Sequence, residues 1–210
     1  MPKVKICGIT NHPDALWAAN LGADYIGLNF YPQSPRKVSV KHAMAIVDQI
    51  PGFISTIGVF VDEPIASAKK IIEKVPLRWV QLHGAESPEY CQELKNLGVT
   101  VMKALRLSGP LAAADTDPYD SSVDYFMFDT YAQDSAGGTG VAFDWEWLQA
   151  AALLKKPWFL AGGLNPGNVL EAIKKTHAPF IDVCSGVEKS PTRKDYDAMK
   201  AFIQAAKSIR

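Results

Sequence analysis

Cys7 stands where the first strand-like run of the chain, Val4-Lys5-Ile6, meets a glycine, Gly8. Far downstream, Asp129 ends another such run, Tyr125-Phe126-Met127-Phe128, in the same way. A thiol and a carboxylate at the ends of two different strands are a candidate base and acid, since surroundings can tune each to take or release a proton near neutral pH. Three glycine-rich stretches follow later strand-like runs: Gly137-Gly138-Thr139-Gly140, Gly162-Gly163-Leu164-Asn165-Pro166 and Ser185-Gly186-Val187-Glu188. Glycines let backbone amides approach an anion closely, and helix N-termini favour negative charge. The stretches are therefore candidates for gripping a phosphate. No Gly-x-x-x-x-Gly-Lys-Ser/Thr is present, which argues against nucleoside triphosphate chemistry. Arg36, in Pro32-Gln33-Ser34-Pro35-Arg36-Lys37, carries a planar fork suited to a carboxylate.

These residues need a scaffold, and the chain alternates short β-branched runs with longer amphipathic stretches. Strands are expected at 4–7, 25–30, 55–60, 79–83, 100–104, 125–129, 158–161 and 180–183. Helices are expected at 12–22, 40–50, 64–75, 88–97, 144–155, 166–176 and 195–208. The stretch 108–122 holds Gly109, Pro110, Asp117 and Pro118, so only a short helix followed by a loop is expected there. Asn11 and Ser87 can cap helices whose first turns contain Pro13 and Pro88, and Asn165-Pro166 repeats that design. Gly22 and Gly98 stand where helices end. Alternation of strand and helix implies a parallel sheet, and eight units favour closure into a (β/α)8 barrel over an open doubly wound sheet. No linker or low-complexity segment interrupts the pattern, so one barrel domain spanning 1–210 is expected.

In such a barrel the chemistry gathers at the C-terminal strand ends, and side chains two apart on a strand share a face. With Val4 and Ile6 facing the helices, Lys5 and Cys7 point inward. Gln81 with His83, Met127 with Asp129, and Asp182 with Cys184 share faces in the same way. Blander readings stand beside these. A cysteine is most often a small buried hydrophobe, which suits Cys91. His83 can be structural, Asp129 can cap a turn, and Arg36 can be a solvated surface group. Lys5 and Lys103 are expected to be barrel-layer lysines paired with carboxylates, not Schiff-base formers.

Composition narrows the classes further. The 210 residues carry 22 Lys+Arg and 22 Asp+Glu, for zero formal net charge. Bulk charge therefore gives no support for nucleic acid or a membrane surface as partner. No apolar run approaches the ~20 residues that span a bilayer. The chain enters a strand at once, without room for a signal peptide. The three cysteines, at positions 7, 91 and 184, form neither a disulfide framework nor a zinc spacing. A cytoplasmic protein without a metal site is expected.

Together these motifs carry a resemblance. Lys5-Ile6-Cys7-Gly8-Ile9-Thr10, Tyr31-Pro32 through Ser34-Pro35-Arg36, Gly58-Val59-Phe60-Val61, Gln81-Leu82-His83-Gly84, Phe128-Asp129-Thr130, the 137–140 glycines with Phe143-Asp144-Trp145, Ala161 through Pro166, and Asp182 through Glu188 resemble the phosphoribosylanthranilate isomerase family of tryptophan biosynthesis, in order and spacing. One departure is Cys184, where the family usually has serine. The resemblance implies a cofactor-free Amadori rearrangement of N-(5-phosphoribosyl)anthranilate to 1-(2-carboxyphenylamino)-1-deoxyribulose 5-phosphate. It makes Cys7 the general base and Asp129 the general acid, roles that need the thiol pKa modestly lowered and the carboxyl pKa raised. Arg36 would hold the anthranilate carboxylate. Gly138, Gly140, Gly162, Gly163, Ser185 and Gly186 would hold the phosphate, with His83 and Asp182 near the substrate or supporting it. The partner is a small phosphoribosyl molecule, and the protein is a monomer or homodimer. Two other readings remain: the histidine-pathway isomerase of a phosphoribosyl aminoimidazole, which usually employs two aspartates, and a non-catalytic phosphosugar-binding barrel.

Overall fold

A computed structural model describes residues 1–130 and 144–209. Its strands are β1 (Lys3–Ile6), β2 (Tyr25–Asn29), β3 (Ser55–Phe60), β4 (Trp79–Leu82), β5 (Thr100–Leu107), β6 (Tyr125–Thr130), β7 (Trp158–Leu160) and β8 (Phe180–Val183). They pair in parallel, in sequence order, and close β8 onto β1. The helices α1 (His12–Asn20), α2 (Val40–Val47), α3 (Ile65–Lys74), α4 (Pro88–Lys95), α5 (Ala113–Thr116), α6 (Val169–Thr176) and α7 (Tyr196–Lys207) lie between and after the strands. A two-stranded ribbon, β9 (Glu188–Ser190) with β10 (Arg193–Lys194), precedes α7. This is the (β/α)8 barrel expected from the alternation.

Local chemistry accounts for most helix starts. Asn11 accepts from the Asp14 amide at 2.9 Å, and Ser87 from the Tyr90 amide at 3.3 Å, with proline in each first turn. Gly22 and Gly98 adopt φ of 93° and 79°, as helix ends require. Two expectations fail. Asn165-Pro166 caps no helix, because α6 begins three residues later. Asn165 Oδ1 instead accepts from the Gly167 amide, and the Asn168 side chain bonds Gly163 O at 2.9 Å, so both amides are spent on the loop. The helix expected at 144–155 is a 3₁₀ helix, Trp145–Leu153. Its buried residues, Leu148 and Ala151, recur every three positions, and the exposed Glu146, Gln149 and Ala152 do the same. That period matches three residues per turn.

The barrel interior is built in layers of four contributed by alternate strands. Tyr25, Trp79, Tyr125 and Phe180 form a ring of aromatic contacts at the N-terminal end, with centroids 4.7–6.3 Å apart. Phe159 closes it from above, stacked at 4.7 Å on Phe180. Such pairs contribute about 0.5–1.5 kcal/mol each beyond their burial. Lys5, Ile57, Met102 and Phe159 make the next layer, then Gly27, Gln81, Met127 and Asp182, and then Cys7, Val59, Ala104 and Ala161, following the strand registers. The floor is therefore apolar and aromatic, and polarity rises toward the C-terminal mouth.

Candidate active site

The mouth is organised from below by a buried lysine. Lys5 is fully buried, and its Nζ donates to Asp182 Oδ1 at 2.7 Å and to Gln81 Oε1 at 2.8 Å. Burial works against its charge, but the Asp182 carboxylate and Cys7 outweigh that and raise its pKa. An ammonium has no acceptor, so the lysine fixes which end of the Gln81 amide is which. Gln81 Nε2 then donates to His83 Nδ1 at 2.8 Å. With Nδ1 accepting, the ring proton belongs on Nε2, which faces Asp129 Oδ2 at 3.1 Å. A hydrogen-bond relay thus runs from Lys5 through Gln81 to His83 and sets the histidine tautomer beside the Asp129 carboxylate. Asp182 and His83, both singled out from the sequence, are tied into it.

Cys7 occupies the layer above Gly27, and space for it is made by that glycine. A Cβ on Gly27 would lie 2.8 Å from Cys7 Sγ and 3.2 Å from Lys5 Cε. Cys184, just after β8, is the neighbour that acts most on the Cys7 thiol, and with burial it pushes the Cys7 pKa well above the usual thiol value, against the pull of Lys5. Cys184 goes the other way, down to about 7, through Cys7 first and then, against its own burial, through Lys194 and Arg36. Cys91 is core, as expected, its thiol pushed up to about 12 by burial.

Arg36 lies at the same rim. Its Nε and Nη2 clasp Glu188 Oε1 and Oε2 at 2.8 and 2.7 Å, a bidentate pair that leaves other guanidinium donors available. Glu188 also accepts from the buried Lys194 at 3.0 Å. These two cations hold the Glu188 carboxyl below its usual range, against its burial. The sequence reading missed Glu188 as the brace of Arg36, and missed Lys194 and Arg106. Arg106 is carried to the mouth because β5 runs on to Leu107, three residues past the expected end. It pairs in register with Asp129, and its Nη2 donates to His83 O at 2.9 Å. The continued alternation Ala104-Leu105-Arg106-Leu107 was the available signal. Lys103 needs a correction: it finds a carboxylate, Glu86, at 2.9 Å, but on the outer face of the barrel. Met102, Ala104 and Arg106 take the inward positions of β5, and alternation sends Lys103 outward.

The loops after β7 and β8 meet backbone to backbone. Gly162 and Gly163 have φ of 87° and 65°, a region closed to most side chains. A Cβ on Gly186 would lie 1.9 Å from Leu164 O. Ser185 opens the 3₁₀ turn that contains Gly186. Gly138 and Gly140, the third glycine stretch, lie outside the described residues. Any side chain at 186 must push the two loops apart. Gly186→Ala is therefore expected to raise KM for a phosphate-bearing substrate by about tenfold or more, since ~1 Å of misplacement is enough to cost rate. Steady-state kinetics check this, and an unchanged KM would remove these loops from phosphate binding.

The family model for N-(5'phosphoribosyl)anthranilate (PRA) isomerase matches residues 4–205. The N-(5'-phosphoribosyl)anthranilate isomerase of Ruegeria sp. (strain TM1040) is 43% identical over 214 residues, covering 99% of this chain and 98% of that protein. The crystal structure of phosphoribosyl anthranilate isomerase from Thermotoga maritima superposes with a TM-score of 0.90 at 37% identity, over 100% of both chains. A crystal structure of the isomerase in complex with reduced 1-(o-carboxyphenylamino)-1-deoxyribulose 5-phosphate superposes with a TM-score of 0.87 at 36% identity, again over 100% of both chains. Among the described residues no helix is long and apolar enough to cross a membrane.

Proposed function

The chain belongs to the phosphoribosylanthranilate isomerase family of tryptophan biosynthesis, and from that premise we propose that Cys7 and Asp129 are the proton-transfer pair of its isomerisation. The enzyme is an aldose–ketose isomerase, and its substrate is N-(5'-phosphoribosyl)anthranilate. The observation that carries the assignment is positional. Cys7 directly follows β1 and Asp129 lies near the end of β6, both on inward-facing positions at the mouth where barrel chemistry is done.

In this reading Asp129 gives a proton to the ribose ring oxygen as the C1–O bond breaks, and the aniline nitrogen becomes a protonated imine. Cys7, as thiolate, takes the proton from C2. The C2–H electron pair forms a C1–C2 double bond and neutralises the imine, giving an enolamine. C1 then gains a proton and the C2 hydroxyl loses one, which leaves the ketone. The imine is the electron sink, so the residues themselves suffice for every step. The Arg36 guanidinium takes the anthranilate carboxylate through donors that Glu188 does not occupy. Gly162, Gly163, Ser185 and Gly186 hold the phosphate, together with Gly138 and Gly140, which lie outside the described residues. His83, oriented by Gln81, stands beside Asp129. Asp182 neutralises Lys5 below the base. A phosphate held at one end and a carboxylate at the other suspend the reacting carbons between thiol and carboxyl.

Loss of the fluorescence of freshly generated phosphoribosylanthranilate measures this activity directly. Arg36→Ala is expected to raise KM by about tenfold or more with a smaller change in kcat, because a group that grips substrate and transition state alike contributes uniform binding. An unchanged KM would argue against the carboxylate role.

A further inference from the structure

His83 presents a hydrogen-bond donor that no step above uses. Gln81 Nε2 donates to its Nδ1 at 2.8 Å, which keeps the proton of the neutral ring on Nε2. Lys5 and Gln81 are both buried, and Lys5 Nζ donates to Gln81 Oε1 at 2.8 Å. The amide therefore cannot turn over without setting its NH₂ against an ammonium. Arg106 Nη2, from the neighbouring strand β5, pins the His83 carbonyl at 2.9 Å. Nε2 itself is buried and lies 3.1 Å from Asp129 Oδ2, yet it makes no hydrogen bond among the described residues. A short distance without a bond means that the N–H is directed past that oxygen. Buried donors without an acceptor are rare because they are costly, and this one stands beside the assigned acid. The charged groups around the ring are Lys5 and Asp182 behind Gln81, and Arg106 and Asp129 at its near side.

We propose that His83 is a catalytic residue of ring opening, whose Nε2–H donates to the ribose ring oxygen as it leaves C1, and that Gln81, turned by Lys5, is the positioning residue that makes it a donor. The inference rests on the reading of Asp129 as the acid of that step. An oxygen that takes the Asp129 proton must come within hydrogen-bond reach of that carboxyl. Nε2 lies 3.1 Å from one of the carboxyl oxygens, so a single substrate atom can face both groups. As the C1–O bond breaks, its electron pair moves to the ring oxygen, the Asp129 proton follows, and the aniline nitrogen lone pair closes the imine. The His83 proton stays on its nitrogen throughout. The imidazole supplies a fixed dipole where negative charge grows. A neutral imidazole is an effective donor to a substrate oxygen. Because Nε2 has no partner in the empty site, no bond has to break before it serves.

Nitrogen-15 spectra read the tautomer without reference to turnover. The His83 signals, one set among 4 histidines, are assigned by their loss in His83→Ala. Above about pH 8, where imidazoles are neutral, the wild type is expected to carry the ring proton on Nε2. Gln81→Glu still accepts from Lys5 but has no proton for Nδ1, so the ring proton should move there. His83→Ala and Gln81→Glu should each lower kcat and kcat/KM together by about 10²–10³-fold, the loss for one donor that acts in the transition state. Gln81→Glu should cost little more in a His83→Ala background, because Gln81 acts through the ring. A C2 deuterium isotope effect expressed in the wild type should disappear in His83→Ala, as ring opening becomes limiting. Four results would each overturn the inference: a wild-type proton on Nδ1, a moved tautomer with unchanged kcat, additive losses in the double variant, or an isotope effect that persists in His83→Ala. If Gln81→Glu does not fold, the wild-type tautomer and the kinetics of His83→Ala decide the matter. Full turnover by Asp129→Asn would instead remove the acid assignment itself. The tautomer and the His83→Ala isotope effect would still report on the donor, so the two failures are separable.

Discussion

Cys7→Ala is expected to lower kcat by about 10²–10⁴-fold, the usual contribution of a positioned general base, while the dissociation constant of a product analogue changes little. In the proposed mechanism the thiol meets the reacting carbon, whereas the carboxylate and phosphate grips lie elsewhere. Two variants separate chemistry from packing. Alanine vacates the space over Gly27, where Sγ would sit 2.8 Å from a Cβ. Serine nearly fills that space, but a hydroxyl does not ionise near neutrality. Equal loss in the two variants assigns the defect to the missing thiolate. Retention of more than about a tenth of wild-type kcat by Cys7→Ser would contradict the general-base assignment. The measurement is steady-state loss of substrate fluorescence beside calorimetric binding of the reduced product.

Asp129→Asn should produce a loss of similar size, about 10²–10⁴-fold in kcat, but at a different step. Asparagine keeps the shape and an oxygen for His83 Nε2, which faces Asp129 Oδ2 at 3.1 Å. It cannot deliver a proton to the ring oxygen. Ring opening then limits the reaction, so a primary isotope effect from deuterium at C2, if expressed in the wild type, should disappear in Asp129→Asn. If the isotope effect grows instead, C2 deprotonation has become limiting, and the acid assigned to ring opening must be another group.

Much of this was legible in the residues. Apolar residues and their alternation are local properties with a period of two, so the eight strands and the inward positions of Lys5, Cys7, Gln81, His83, Asp129 and Asp182 could be read directly. Caps at Asn11 and Ser87 are equally local. Where the reading failed, a longer-range contact had decided. Lys103 lies outside because the length and register of β5 against β4 and β6 place Met102, Ala104 and Arg106 inside. Asn165 and Asn168 do not cap α6 because their amides hold the loop above β7.

The sequence by itself determined the alternating architecture, the family motifs and the residue types that reach the barrel mouth. Only the tertiary structure decided who partners whom: Lys5 with Gln81 and Asp182, 76 and 177 residues away, and Arg36 with Glu188, 152 residues away. Periodicity along a strand reports which face a side chain takes, but hydrogen bonding and ion pairing depend on distances of a few ångströms between strands. Those distances are set when β8 pairs with β1, an event with no signature in either segment alone.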